Sequence, residues 1–171
     1  MMSQGEFRAK PEALRRTLRI VTEMAKLPGF LVMANPDLPA AELEARWATP
    51  ADHYLVLGEG LRVHYRDEGA AEGPVLLLVH GYGDSYATWE GWAAELRATH
   101  RVISLDLPCH GLTAAPEGTV LDRTAQARLV ATFAERLKLP PYVVAGNSMG
   151  GGVAWQLALL APQQLRGLVL V

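Results

Sequence analysis

The sequence predicts an α/β fold: a mainly parallel sheet with an antiparallel N-terminal hairpin, ending after its sixth strand. Three observations carry that expectation. Short, mainly apolar runs, "VLLLV", "RVISL", "YVVAG" and "LRGLVLV", read as strands covered on both faces. Longer segments with apolar residues at helical spacing separate them. Alternation of the two builds a parallel sheet, because a helical crossover returns the chain to the same end of the sheet.

Taken in order, residues 1–51 read as a helical lead-in and residues 52–171 as the N-terminal part of the α/β domain. Within the lead-in, "TLRIVTEMAKLPGFLVMA" at 17–34 is apolar enough to raise the question of a membrane span. Arg19, Glu23 and Lys26 answer it, since charged residues cost about 2.5–3.5 kcal/mol each near a bilayer centre, and Pro28 breaks the helix. No span is expected there. Leu14, Leu18, Val21 and Ala25 share a helical face beside Arg15, Arg16 and Arg19. That face is expected to pack on its own domain, with weak contact to a membrane surface as the alternative.

The next stretch, "HYLVLGEGLRVHYRDEG", predicts two strands around the turn Gly58-Glu59-Gly60. "PVLLLVHG" follows as a buried strand, then a helix from Tyr86 to Leu96 with Trp89, Trp92 and Leu96 on one face. "RVISLDLP" is a second buried strand, ended by Pro108. Residues 122–138 predict a helix that buries Val130, Phe133, Ala134 and Leu137 and stops before Pro140-Pro141. "YVVAG" is a third buried strand, Met149 to Leu160 a helix closed by Pro162, and "LRGLVLV" a fourth. Trp89, Trp92, Phe133 and Trp155 are expected in the core.

Composition narrows the function classes. Half of the 171 residues are hydrophobic and a fifth are charged, as in an ordinary globular domain. A net charge of −2 without a long basic run provides no electrostatic footprint for nucleic acid. The single cysteine, Cys109, has no intrachain partner, which suits a reducing, cytoplasmic compartment. The five histidines lack metal-ligand spacing and there is no P-loop, so neither a metal nor an organic cofactor is expected.

The chemistry concentrates at Gly146-Asn147-Ser148-Met149-Gly150, where a predicted strand passes into a predicted helix. Gly-x-Ser-x-Gly in that setting is a nucleophile elbow: a sharp turn lifts the serine hydroxyl above the sheet, and the glycines let strand and helix approach closely. The site then lies outside the carboxyl ends of the strands, where open α/β sheets bind ligands. Acyl hydrolysis needs two amide donors for the developing oxyanion. Met149 would supply one. Tyr82, in the turn His80-Gly81-Tyr82-Gly83, is the best-placed source of the second.

From about Tyr54 to Val171 the chain resembles the α/β-hydrolase superfamily, through "GLRVHYRDEG", "HGYG", "DLPCHG" and "GNSMGG". It is most similar to the bacterial branch of esterases, lipases and carbon–carbon bond hydrolases. The resemblance implies an α/β-hydrolase fold, a small-molecule acyl substrate, Ser148 as nucleophile, and Tyr82 and Met149 amides as the oxyanion hole. In the similar haloalkane dehalogenases and epoxide hydrolases the nucleophile is an aspartate, so Ser148 argues against those reactions. Relatives usually carry glycine where Cys109 stands, which implies a strained turn there. His80 corresponds to a structural histidine of the oxyanion turn.

Other readings of the same residues are weaker. "GNSMGGG" also fits a nucleotide-binding glycine loop, but such a loop should follow the first strand and not the fifth. Asp106 is expected to brace its turn, Asp84 to be solvated, His110 to sit at the rim, and His53, His64 and His100 to lie on the surface or at strand edges. Tyr82 and Tyr86 are open between packing and contact with an acyl or aromatic group. On this fold the triad runs Ser, acid, His along the chain, yet no Asp, Glu or His follows Ser148. An incomplete hydrolase domain, inactive by itself and prone to aggregate along its "GLVLV" edge, is the first expectation. A non-catalytic module that binds a small ligand or partner is the second.

Overall fold

The computed structural model describes residues 38–171 apart from Glu59, Glu117 and Val120. The expectations for residues 1–37, including the Leu14–Ala25 face, lie outside the described residues. Residues Ala40–Val171 form one compact unit.

Helix α1 spans Ala40–Trp47, with an exposed Glu42–Arg46 pair one turn apart. Strands β1 (Asp52–Val56) and β2 (Arg62–Gly69) form the predicted hairpin, in register from Asp52 opposite Arg66 to Val56 opposite Arg62. β3 (Val75–Val79) leads through a 3₁₀ turn, Tyr86–Trp89, into α2 (Glu90–Leu96). The expected single helix is thus two pieces, and the Ser85 hydroxyl accepts from Ala87 N–H at the start. β4 is Arg101–Leu105, α3 Arg123–Arg136, β5 Tyr142–Gly146, α4 Met149–Leu160 and β6 Leu165–Leu170. Asp122 caps α3, accepting from Ala125 N–H at 2.7 Å.

The sheet order is β1-β2-β4-β3-β5-β6. β1, β2 and β4 pair antiparallel, while β4, β3, β5 and β6 are parallel. This is the predicted α/β architecture. β3 lies at the centre, and its side chains alternate between two cores as the pleat requires. Leu77 and Val79 join Ile103, Leu105, Val130, Phe133, Val153 and Leu157 beneath α3 and α4. Leu78 joins Trp89, Ala93, Val102 and Ala145 beneath α2. With both faces covered, the carboxyl ends of the four parallel strands are left as the place where loops can converge.

Two tryptophans depart from expectation. Trp89 and Phe133 are buried, but Trp92 is 39% and Trp155 54% exposed. α4, "MGGGVAWQLALL", is apolar on nearly every side, so periodicity could not select its inner face. Val153, Ala154 and Leu157 took it, and Trp155 and Leu159 face outward. Trp92, on a two-turn helix, packs edge-on against Trp89 instead, with ring centroids 5.1 Å apart. Among the described residues no helix is long and apolar enough to cross a membrane.

Candidate active site

β5 and α4 meet at a sharp corner. Ser148 stands there at φ 49°, ψ −109°, a left-handed backbone that side-chain-bearing residues rarely adopt and that costs of order 1–3 kcal/mol. The neighbours over-determine it: Asn147 N–H donates to Val79 O, Ser148 N–H to Val171 O, and Val171 N–H to Gly146 O, each at 3.0 Å. The flanking glycines are required by contact. A Cβ on Gly146 would lie 2.2 Å from Gly150 O, and one on Gly150 would lie 2.2 Å from Val79 O. Ser148 is exposed, and its hydroxyl has no capping bond to the helix it opens.

The turn after β3 adjoins this corner. The position a Cβ would take on Gly81 is 3.5 Å from Ser148 Cβ and 2.8 Å from Asn147 Oδ1. His80-Gly81-Tyr82-Gly83 and Ser148 are therefore side by side, although β3 and β5 are far apart in sequence. Met149 begins α4, so its amide belongs to the unsatisfied first turn of a helix. The Tyr82 side chain is 82% exposed and makes its only ring contact with His110, at 6.0 Å, among the described residues.

His80 fixes the turn and has no proton to trade. Its Nδ1 faces Gly81 O at 2.7 Å, and its Nε2 accepts from Leu107 N–H at 2.9 Å, which defines a neutral ring. Burial pushes its pKa down, in keeping with that assignment. His110, at the rim, lies 5.1 Å from His80 ring to ring, and its Nδ1 is 2.9 Å from Pro108 O.

Asp106 is saturated. Its carboxylate accepts from Tyr86 N–H (2.7 Å) and Leu112 N–H (2.8 Å), and its Oδ2 is 2.8 Å from His64 Nδ1. It braces the loops after β3 and β4. His64, expected at the surface or a strand edge, is wholly buried. β2 is an interior strand between β1 and β4, so Val63 and His64, on opposite faces, are both covered. The second ring nitrogen of His64 lies 3.1 Å from Asp52 Oδ1, which also accepts from Arg66 Nε at 2.7 Å. Burial works upward on Asp52, but Arg66, the Thr49 amide and His64 outweigh it and hold its carboxyl at about 2. Arg66 also donates to the Tyr86 hydroxyl at 2.9 Å, committing that ring to the brace. Sequence reading missed this network because its members are joined across three strands. The one local hint was Asp106 just past a strand end.

The remaining residues sort quickly. Asp84 accepts from Ser85 N–H at 2.8 Å. His53 packs on Tyr65, and His100 Nδ1 is 2.8 Å from Thr99 Oγ1, both outside the site. Cys109 takes φ 64°, the strain implied by its replacement of glycine. Among the described residues no three His, Cys, Asp or Glu side chains converge as metal ligands. An apolar groove of about 520 Å³ lies between the hairpin tip and α3, lined by Leu57, Leu61, Leu121 and Leu129, and shares no residue with the elbow.

Comparison with known proteins agrees with the fold. The sequence model of the family described as alpha/beta hydrolase fold matches residues 74–171. The dihydrolipoyllysine-residue acetyltransferase component of the acetoin cleaving system of Cupriavidus necator is 33% identical, over 92% of this chain and 46% of its own. Epoxide hydrolase 2 of Caenorhabditis elegans is 30% identical, over 77% of this chain and 36% of its own. A bacterial membrane phospholipase A superposes with a TM-score of 0.68 at 31% identity, covering 92% of this chain and 51% of that one. The chain spans about half or less of the length of each.

Proposed function

The chain belongs to the α/β-hydrolase fold family, and from that premise we propose that it carries the nucleophile and oxyanion turn of a serine hydrolase for carboxylic esters or related acyl bonds. One observation supports this above all: an exposed serine on a strained, over-determined corner, beside a glycine turn. In this reading Ser148 Oγ attacks the carbonyl carbon while a base removes its proton. The Met149 and Tyr82 amides receive the negative charge that develops on the carbonyl oxygen. A serine, not a carboxylate, at the elbow favours acyl transfer over epoxide opening, whatever the mixed names of the relatives. For epoxide hydrolases the resemblance implies an aspartate nucleophile, and Ser148 stands at that position here.

The base is not assigned among the described histidines. Both nitrogens of His80 are engaged and His64 is buried between carboxylates. The proposal places base and acid outside residues 1–171, in keeping with the share of its relatives that the chain spans. The test is turnover of p-nitrophenyl butyrate by the natural polypeptide carrying this sequence, with and without Ser148→Ala. Loss of about four to six decades in kcat is expected. Equal turnover by both proteins would end the proposal.

A further inference from the structure

Three glycines follow Met149, and the third does not serve the corner. A Cβ on Gly150 would strike the β3 backbone, and one on Gly151 would approach Gly146 O. The three atoms nearest to a Cβ on Gly152 all belong to Arg123: Nε at 2.7 Å, Cδ at 3.1 Å and Cζ at 3.2 Å. Glycine inside a helix is less favourable than alanine by about 1 kcal/mol. Here the missing Cβ leaves room for the Arg123 side chain against the first turn of α4.

The arginine is itself in an unfavourable place. Arg123 is the first residue of α3, directly after its cap, where the helix dipole disfavours a cation. It is exposed. Arg46, Arg62, Arg66 and Arg101 each pair with a carboxylate; Arg123, like Arg97, Arg128, Arg136 and Arg166, pairs with none among the described residues. Gly152 N–H donates to Ser148 O at 3.2 Å, so the guanidinium rests on the residue one helical turn from the candidate nucleophile. Neither choice is the one that local helix preference favours. Both make sense if an anion arrives from outside, because a guanidinium presents a planar fork of donors to carboxylate and phosphate oxygens.

We propose that Arg123 is a specificity residue of the Ser148 site, receiving an anionic carboxylate or phosphate group of the acyl substrate, and that Gly152 is the seat that holds it there. This deepens the serine-hydrolase reading and rests on it. The test uses the natural polypeptide and two substrate pairs. One pair is the p-nitrophenyl hemiester of glutarate against neutral p-nitrophenyl butyrate. The other is a monoacylglycerol phosphate against the neutral monoacylglycerol. The readout is the anionic-to-neutral ratio of kcat/KM. Arg123→Gln should lower that ratio about tenfold or more in at least one pair, and the pair affected distinguishes carboxylate from phosphate. Arg123→Lys should restore part of it. Gly152→Ala should lower the same ratio by displacing the side chain, without lowering Tm, since alanine is the better helix former. A ratio within about twofold of the parent in both pairs for Arg123→Gln overturns the proposal. A ratio that falls only together with Tm in both variants also overturns it, since the arginine would then be structural. Ser148→Ala separates the two levels: if it leaves turnover intact the nucleophile reading fails, and if it abolishes turnover while Arg123→Gln leaves the ratio unchanged only the specificity claim fails.

Discussion

Two turns leave the same end of the parallel sheet, and each holds a residue with a side chain at positive φ. After β5 it is Ser148 at 49°, and after β4 it is Cys109 at 64°. Their surroundings differ. The β4 turn begins with a carboxylate that accepts two backbone amides and faces His64, and Thr113 Oγ1 donates to the carbonyl of the same Asp106 at 2.7 Å. The β5 turn is held as firmly by backbone bonds, yet its serine is exposed and caps nothing. The Asp106 carboxylate is committed to the backbone of its turn, and the group proposed to react is left free. Rigid support with an uncommitted functional atom is what preorganisation requires.

That contrast can be broken in several places. The largest expected effect is chemical: Ser148→Ala should remove about four to six decades of turnover while leaving Tm nearly unchanged, measured by ester assay and thermal melt. Asp106→Ala should instead lower stability, because it strands the half-buried Tyr86 amide, the buried Leu112 amide and the His64 ring. A loss of about 3–5 kcal/mol in a denaturant titration is expected, at about 1–3 kcal/mol for each buried group left unsatisfied. Cys109→Gly should stabilise by about 1 kcal/mol, since glycine enters the left-handed region without the clash that cysteine suffers. The mildest effect is confined to acid. Burial depresses the His80 pKa, so the neutral ring contributes stability that is fully present above the ordinary imidazole value of 6.5 and declines as pH falls below it. His80→Gln should flatten that limb of the stability–pH curve.

The same contrast explains what the sequence could show. The elbow is written in five consecutive residues, and its meaning depends only on the strand before and the helix after, so it was legible. So were β3, β4 and β5, whose short apolar runs are largely buried, and the hairpin, which is marked by its glycines; β6 was expected to be buried as well, but it is the edge of the sheet and none of its residues is fully covered. The strain at Cys109 was legible as a departure from a pattern. His64 was not, because its burial depends on Asp106, 42 positions away, and on β2 lying inside the sheet. Trp155 was not, because a helix apolar all round carries no signal about which face is covered. The seat of Arg123 on Gly152 joins two helices 29 positions apart, from 123 to 152, and only the packing of α3 on α4 reveals it. Local chemistry was readable. Chemistry assembled across elements was not.

The central claim is that Ser148 is the nucleophile, and labelling tests it most directly. The natural polypeptide would be treated with an alkyl fluorophosphonate and digested, and the modified peptide sequenced by mass spectrometry. The account predicts one covalent adduct, on Ser148, absent after denaturation and absent in Ser148→Ala. A protein that folds, hydrolyses short acyl esters and carries its adduct on another residue, or none on Ser148, would contradict it.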